Sequence, residues 1–212
     1  MISGISIALF GLAGLCAVVY LAPWLKRGGM VRTVIKTLPL ALFAMAAWME
    51  NAPWLLVAGF TLSALGDAFL AHEGDRMFMA GLGSFLTAHL LFAVLFYTLA
   101  DDLAGAWPIV TGICVFALGF GTALVRQAGP LAFPVAVYVL AIAGMGITAS
   151  ATGGWVLAGA ISFMISDALL GIEKFLLQKE SHWQVLTSPG VWVLYIGGQA
   201  MILAGVLMVM AN

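Results

Sequence analysis

Two aspartates lie in apolar segments that have nearly the same local sequence. Asp67 is the acidic residue of LGDAFL at positions 65–70, and Asp167 is the acidic residue of ISDALL at positions 165–170. An ionisable side chain in a membrane span costs at least about 2.5 kcal/mol on insertion scales, so such residues usually serve a function. Two carboxylic acids in apolar surroundings are suited to acid catalysis, because desolvation favours the protonated form of a carboxyl group. The structural alternative is a neutral acid that donates a hydrogen bond to a neighbouring helix.

His89 is the only histidine within a predicted span, about 12 residues into residues 77–99 and therefore close to mid-membrane. We predict a catalytic role for it in proton transfer or in orienting a substrate. The alternative is a buried neutral imidazole that is bonded to a carbonyl or hydroxyl group. A zinc site is disfavoured, because zinc binds several His or Cys ligands.

Four other polar side chains in the predicted spans are candidate substrate ligands. Lys36 begins the second span, where it either anchors the helix at the lipid surface or contacts the phosphate of a lipid head group. Tyr138, Tyr195 and Gln199 lie at intermediate depth, and Tyr138 and Gln199 are also suited to interhelical hydrogen bonds. The sequence has no Ser-His-Asp spacing, nucleotide-binding loop or cluster of metal ligands, so neither a metal nor a cofactor is predicted.

The composition predicts that these side chains lie in a membrane. Hydrophobic residues make up 64% of the 212-residue chain and charged residues 8%, and the mean hydropathy is +1.13. Because a helical span needs roughly 20 apolar residues, the chain is long enough for about eight spans. We predict an all-α membrane protein, an eight-transmembrane-helix bundle that forms a single polytopic domain over residues 1–212. The predicted spans are residues 2–22, 34–50, 53–71, 77–99, 106–125, 131–150, 155–172 and 190–210.

The positive charges predict the orientation of the spans. All Lys and Arg residues fall at the odd-numbered connections, whereas the even-numbered connections and both termini have none. The positive-inside rule therefore places the odd connections in the cytoplasm and both termini outside. Asp67 and Asp167 then lie near the cytoplasmic ends of parallel spans. The basic residues are Lys26, Arg27, Arg32 and Lys36 at the first connection, Arg76 at the third, Arg126 at the fifth, and Lys174 and Lys179 at the seventh.

A weak internal repeat suggests two four-helix halves in parallel orientation. An offset of four spans would relate the halves by an axis along the membrane normal and bring the two aspartates to opposite walls of one cavity. Each half has a proline that opens the span before its aspartate. The matching positions are Pro39, Trp54, Gly59 and Asp67 in the first half, and Pro134, Trp155, Gly159 and Asp167 in the second.

Several short blocks, taken together, resemble the lysoplasmalogenases, also called YhhN-like membrane proteins. The blocks occur in the family's order over most of the chain. They are Ile35-Lys36-Thr37-Leu38-Pro39, Leu62 to Leu70 around Asp67, Phe78-Met79-Ala80-Gly81 with Thr87-Ala88-His89, Val137-Tyr138, Gly159 to Asp167, Glu173-Lys174-Phe175, and Tyr195 with Gln199-Ala200.

The resemblance implies hydrolysis of the vinyl-ether bond of lysoplasmalogens, which gives a fatty aldehyde and a glycerophospho-base. In this hypothesis one aspartate is the general acid and the other stabilises the cation and activates water, in an order that the sequence does not specify. His89 would assist proton transfer or orient the water, and Lys36 would meet the phosphate.

Two other functions remain open from the sequence. Repeated halves with intramembrane carboxylates are also typical of a proton-coupled transporter of small molecules or lipids. A lipid-binding protein without activity is a third interpretation, which the presence of both aspartates and His89 disfavours. The expected partners are a lysophospholipid substrate and the lipid bilayer, in the inner (cytoplasmic) membrane of a bacterium. The net charge of −1 and the lack of a basic stripe argue against a nucleic-acid partner, and no feature indicates an oligomeric state.

Overall fold

The chain is all-helical in a computed structural model that describes residues 3–22, 29–100, 104–178 and 181–211. Within those ranges there are eight α-helices and no β-strand. Lys26, Arg27 and Lys179, on which part of the predicted orientation depends, lie outside the described residues. The helices are α1 (Gly4–Tyr20), α2 (Met30–Met49), α3 (Trp54–Leu70), α4 (Asp75–Thr98), α5 (Trp107–Gln127), α6 (Ala132–Thr152), α7 (Gly154–Gly171) and α8 (Gln184–Ala211).

Most of these helices are long and apolar enough to cross a membrane. Six meet that criterion among the described residues, namely α2 and α4 to α8, where α6 and α7 are extended by adjoining short turns. The helices α1 and α3 are apolar but have only 17 residues each. The chain is therefore an integral, multi-pass membrane protein. Eight spans with both termini outside remain a prediction.

Two helices extend beyond the predicted spans, and one proline lies elsewhere than expected. The second helix begins at Met30 and the last at Gln184, several residues before the predicted spans 34–50 and 190–210. Arg32 consequently lies inside α2 rather than in the first connection, because Arg is a good helix former and does not end a helix. Pro39 does not open its span but lies in the interior of α2, a position that membrane helices tolerate. Pro134, in contrast, is in the first turn of α6.

The described residues divide into two compact units, the first of which is Met1–Leu95 with Leu203–Asn212. Its helices α1 to α4 are joined by a series of aromatic contacts. The ring centroids are separated by 5.5 Å for Phe10 and Phe43, 6.0 Å for Phe43 and Phe60, and 5.5 Å for Phe60 and Phe92. Offset and edge-on ring pairs of this kind stabilise a core beyond the area that they bury.

The second unit, Phe96–Ile202, contains a very close approach of α7 and α8. A Cβ atom added to Gly159 would lie 2.5 Å from the carbonyl oxygen of Gly198, so only glycine fits at that crossing. Small residues allow membrane helices to pack backbone to backbone in this way. Ser162 reinforces the contact with a 2.8 Å hydrogen bond from its hydroxyl to the carbonyl of Leu194.

Candidate functional site

Asp67 forms a buried ion pair with Lys36, from α3 to α2. The Nζ atom of Lys36 lies 3.6 Å from Oδ1 of Asp67, and the side chains are 12% and 3% exposed. Lys36 is the seventh residue of α2 and therefore lies in its second turn. Lys36 was expected to anchor the span at the lipid surface or to contact a phosphate. Its ammonium group contacts a buried carboxylate, and its contact with a phosphate remains a prediction.

Close packing of α4 holds this part of α3 in place. A Cβ atom on Gly66 would lie 2.6 Å from the ring of Phe85, so the glycine beside Asp67 allows the ring to pack against the backbone. The hydroxyl of Ser84 donates a 2.6 Å hydrogen bond to the carbonyl of Leu62 on α3. The absence of a side chain at Gly66 therefore permits the close approach of α3 and α4 beside Asp67.

In the second unit, Asp167 accepts a hydrogen bond from the hydroxyl of Tyr138, from α6 to α7. Both side chains are half-buried. Tyr138 thus forms the interhelical hydrogen bond to which the sequence suggested it was suited. Ser166, which precedes Asp167, is buried and donates a 2.8 Å hydrogen bond to the carbonyl of Val191 on α8.

The two aspartates occupy the same position in their helices. Asp67 is residue 14 of α3, counting from Trp54, and Asp167 is residue 14 of α7, counting from Gly154. Each has a partner on the helix that precedes its own, but the partners differ in charge: a lysine for Asp67 and a phenol for Asp167. The local environments therefore distinguish two side chains whose sequence contexts are nearly the same.

His89 is fully buried in α4, one turn after Phe85. Burial is compatible with both interpretations of this imidazole. The catalytic role of His89 remains a prediction.

Tyr195 and Gln199 lie one turn apart on α8, and both are buried. The ring of Tyr195 packs against Phe163, at 5.2 Å between centroids, and against Trp192, at 5.9 Å. The structure therefore places Tyr195 in an aromatic cluster between α7 and α8. Its predicted contact with substrate is a separate hypothesis.

Two groups of polar contacts were not found by sequence reasoning. Glu50, which follows α2, accepts hydrogen bonds from the hydroxyls of Ser3 and Ser6 at the start of α1. Arg32 contacts Tyr20, the last residue of α1. The contact of Glu50 with the two serines joins residues far apart in sequence, so no sequence pattern indicated it. For Arg32, the sequence showed only the four-residue spacing from Lys36, which indicates that the two side chains share one helix face. In the described ranges, no three His, Cys, Asp or Glu side chains come together as metal ligands would.

Comparison with known proteins identifies the family. The profile of the YhhN family matches residues 31–206, which include Lys36, both aspartates and His89. The chain belongs to the YhhN family. The matched region begins within α2, so α1 lies outside it.

Several proteins similar to this YhhN family member are named lysoplasmalogenase. A protein of Mycobacterium bovis named lysoplasmalogenase is 35% identical over 159 residues, which are 71% of this chain and 59% of that protein. Human lysoplasmalogenase TMEM86A is 31% identical over 185 residues, 74% of this chain and 73% of the human protein. Human lysoplasmalogenase TMEM86B is 29% identical over 168 residues, 74% and 70% of the two chains. The chain thus spans about three fifths of the mycobacterial relative. No solved structure matches it.

Proposed function

We propose that this YhhN family member hydrolyses the vinyl-ether bond of lysoplasmalogens. The products would be a fatty aldehyde and either glycerophosphocholine or glycerophosphoethanolamine. The names of the relatives support the reaction. The mechanism depends on the two aspartates, which occupy equal positions in their helices. Asp67 is paired with the cation Lys36, whereas Asp167 is bonded to the neutral phenol of Tyr138.

The reaction needs an acid and an acceptor of a water proton. Vinyl ethers hydrolyse when a proton adds to the vinyl carbon that is not bonded to oxygen. The product is an oxocarbenium ion, in which the other vinyl carbon and the ether oxygen share the positive charge. Water adds to that ion and loses a proton to give a hemiacetal, and the hemiacetal breaks down to the aldehyde and the free glycerol hydroxyl. A carboxylic acid can supply the first proton and a carboxylate can accept the second, so the two aspartates suffice for both steps.

The partners suggest which aspartate has which role. An ammonium group at 3.6 Å favours the ionised form of Asp67, so we assign Asp67 to activation of the attacking water and to stabilisation of the cation. Asp167 accepts a hydrogen bond from the neutral phenol of Tyr138, which stabilises a carboxylate less than the ammonium group beside Asp67 does. We therefore assign the general acid to Asp167 and the positioning of its carboxyl group to Tyr138.

The remaining candidates have supporting roles in this proposal. His89, in the same unit as Asp67, would orient the attacking water, and Tyr195 and Gln199 would line the site that holds the lipid chain. The protein would act as a single polytopic domain with eight spans and both termini outside, in the inner membrane of a bacterium. Arg32 and Arg76 lie in the first turns of α2 and α4, Arg126 lies in the last turn of α5, and Lys174 follows α7, which fits this orientation.

Aldehyde release by the purified protein tests the proposal. In detergent, the protein should convert choline and ethanolamine lysoplasmalogens to aldehyde and glycerophospho-base in equal amounts and leave ester lysophospholipids unchanged. Asp67→Asn and Asp167→Asn should each abolish release. Asp75→Asn, which changes an exposed aspartate at the start of α4, is the matched control and should remain active. Full turnover in either intramembrane variant would contradict the assigned roles.

A proton-coupled transporter is the second candidate, because ionisable side chains at the same position in two apolar helices could also form a proton relay. A transporter needs two compartments and leaves its substrate chemically unchanged. Absence of aldehyde from every lysoplasmalogen, together with proton-dependent uptake of a lysolipid into proteoliposomes, would favour this candidate over the hydrolase.

A further inference from the structure

Arg32 and Lys36 lie on one face of α2, four residues apart, and within the described ranges Lys36 alone of the two pairs with an acidic side chain. Among the described residues, no carboxylate lies within salt-bridge distance of Arg32. Its guanidinium is instead held by Tyr20, with the Cζ atom 5.9 Å from the ring centroid and Nη2 3.4 Å from the hydroxyl. Both side chains are half-buried. Arg32 is therefore a positioned cation whose charge is not neutralised by a described residue.

The chemistry of this side chain fits a phosphate group. A guanidinium has five N–H donors in a planar fork, of which the contact with Tyr20 uses one. The others can form paired hydrogen bonds with two oxygens of a phosphate, a geometry that arginine provides and lysine does not. The contacts with the ring and hydroxyl of Tyr20 limit the rotation of the Arg32 side chain, so less entropy is lost when an anion binds.

The spacing along α2 fits a lysophospholipid whose vinyl ether lies beside Asp67. Four residues of helix advance about 6 Å, which separates Arg32 from Lys36 along the axis. In the lipid, five bonds connect the sn-1 oxygen with phosphorus, a length of about 6 Å in an extended chain. We propose that Arg32, oriented by Tyr20, binds the phosphate of the substrate. This inference rests on the proposed lysoplasmalogenase function and assigns to Arg32 the contact that the sequence suggested for Lys36.

The test compares two substrates that differ only in the phosphate-bearing head group. In a neutral detergent without added lipid, Arg32→Gln should raise KM for an alkenyl lysophosphocholine about tenfold, the effect of losing one charge-assisted contact, with little change in kcat. KM for the corresponding alkenylglycerol, which has no phosphate, should stay within twofold. Tyr20→Leu should give a smaller rise, again for the phosphate-bearing substrate only.

Arg126→Gln is the matched control. Arg126 is an exposed arginine in the last turn of α5, and its loss changes the net charge equally. It should leave both KM values unchanged. If Arg126→Gln acts like Arg32→Gln, or if Arg32→Gln affects both substrates equally, the site is not specific for the substrate phosphate. If the Arg32 effect is seen only when anionic bilayer lipid is added back, the phosphate that Arg32 binds belongs to the bilayer.

A binding measurement separates this inference from the proposed function. An alkyl-ether lysophosphocholine and an alkylglycerol cannot be hydrolysed by this route, so their affinities do not depend on activity. Loss of binding in Arg32→Gln for the first ligand alone would support the phosphate site even if the wild type released no aldehyde. An active wild type whose Arg32→Gln variant keeps full affinity for both ligands would overturn the phosphate site alone. Arg32→Lys, which keeps the charge but not the fork, should fall between the wild type and Arg32→Gln.

Discussion

The hydroxyl of Tyr138 on α6 donates a hydrogen bond to Oδ2 of Asp167 on α7. If this bond positions the general acid, Tyr138→Phe should lower kcat about tenfold and leave KM nearly unchanged, since one hydrogen bond to a charged or reacting group contributes about 1.5 kcal/mol. Steady-state aldehyde release measures both constants. Tyr97→Phe is the matched control, because Tyr97 is 65% exposed on α4, and it should behave as the wild type. A rise in KM without a change in kcat would instead assign Tyr138 to substrate binding.

Removal of only one partner of the buried Lys36–Asp67 pair should lower the stability of the folded protein. Lys36→Met leaves a carboxylate without its cation, and removal of one partner of a buried pair typically destabilises by about 3 kcal/mol. The double variant Lys36→Met with Asp67→Asn removes both charges and should recover most of the lost stability, but not aldehyde release. Thermal unfolding in detergent measures the first effect. Lys174→Met, at an exposed position after α7, is the control, and equal stability of the two single lysine variants would contradict the pair's contribution.

Glu50 should stabilise the contact between α1 and the end of α2 down to acidic pH. Hydrogen bonds from the Ser3 and Ser6 hydroxyls and from the Ser3 N–H lower the pKa of Glu50 from 4.5 to about 2. Because the folded-state pKa is depressed, the stabilisation is complete above about pH 4.5 and is lost as the pH falls towards 2. The unfolding midpoints of wild type and Glu50→Gln should therefore differ at pH 6 and converge between pH 4.5 and 2. A constant difference over that range would show that the Glu50 charge is not responsible.

One methyl group added at the crossing of α7 and α8 should destabilise the protein. The added Cβ atom of Gly159→Ala would meet the Gly198 carbonyl oxygen at 2.5 Å and the backbone nitrogen of Ile202 at 2.8 Å. Overpacking of this kind costs about 1–3 kcal/mol, so the unfolding midpoint should fall. Gly197→Ala is the matched control because its Cβ atom would meet nothing within 4 Å, and alanine is the better helix former there. A fall of the same size in both variants would mean that the close contact is not the cause.

The sequence predicted the helices and the carboxylates better than the contacts between them. Long apolar runs identified the all-α membrane class, and the repeated sequence around Asp67 and Asp167 predicted two aspartates in matching positions of their helices. The partner of Asp67 could not be predicted, because an apolar run does not show which faces of two helices meet. Lys36 lies in the second turn of α2, where it pairs with Asp67.

The equal helix positions of Asp67 and Asp167 bear on how two similar halves of a protein can acquire different roles. With backbone positions matched, the carboxylates differ in their partner on the preceding helix, an ammonium in one case and a phenol in the other, and in burial, since Asp67 is buried and Asp167 is half-buried. A single substitution at either partner position could therefore change how readily one carboxyl group holds a proton without any movement of the main chain.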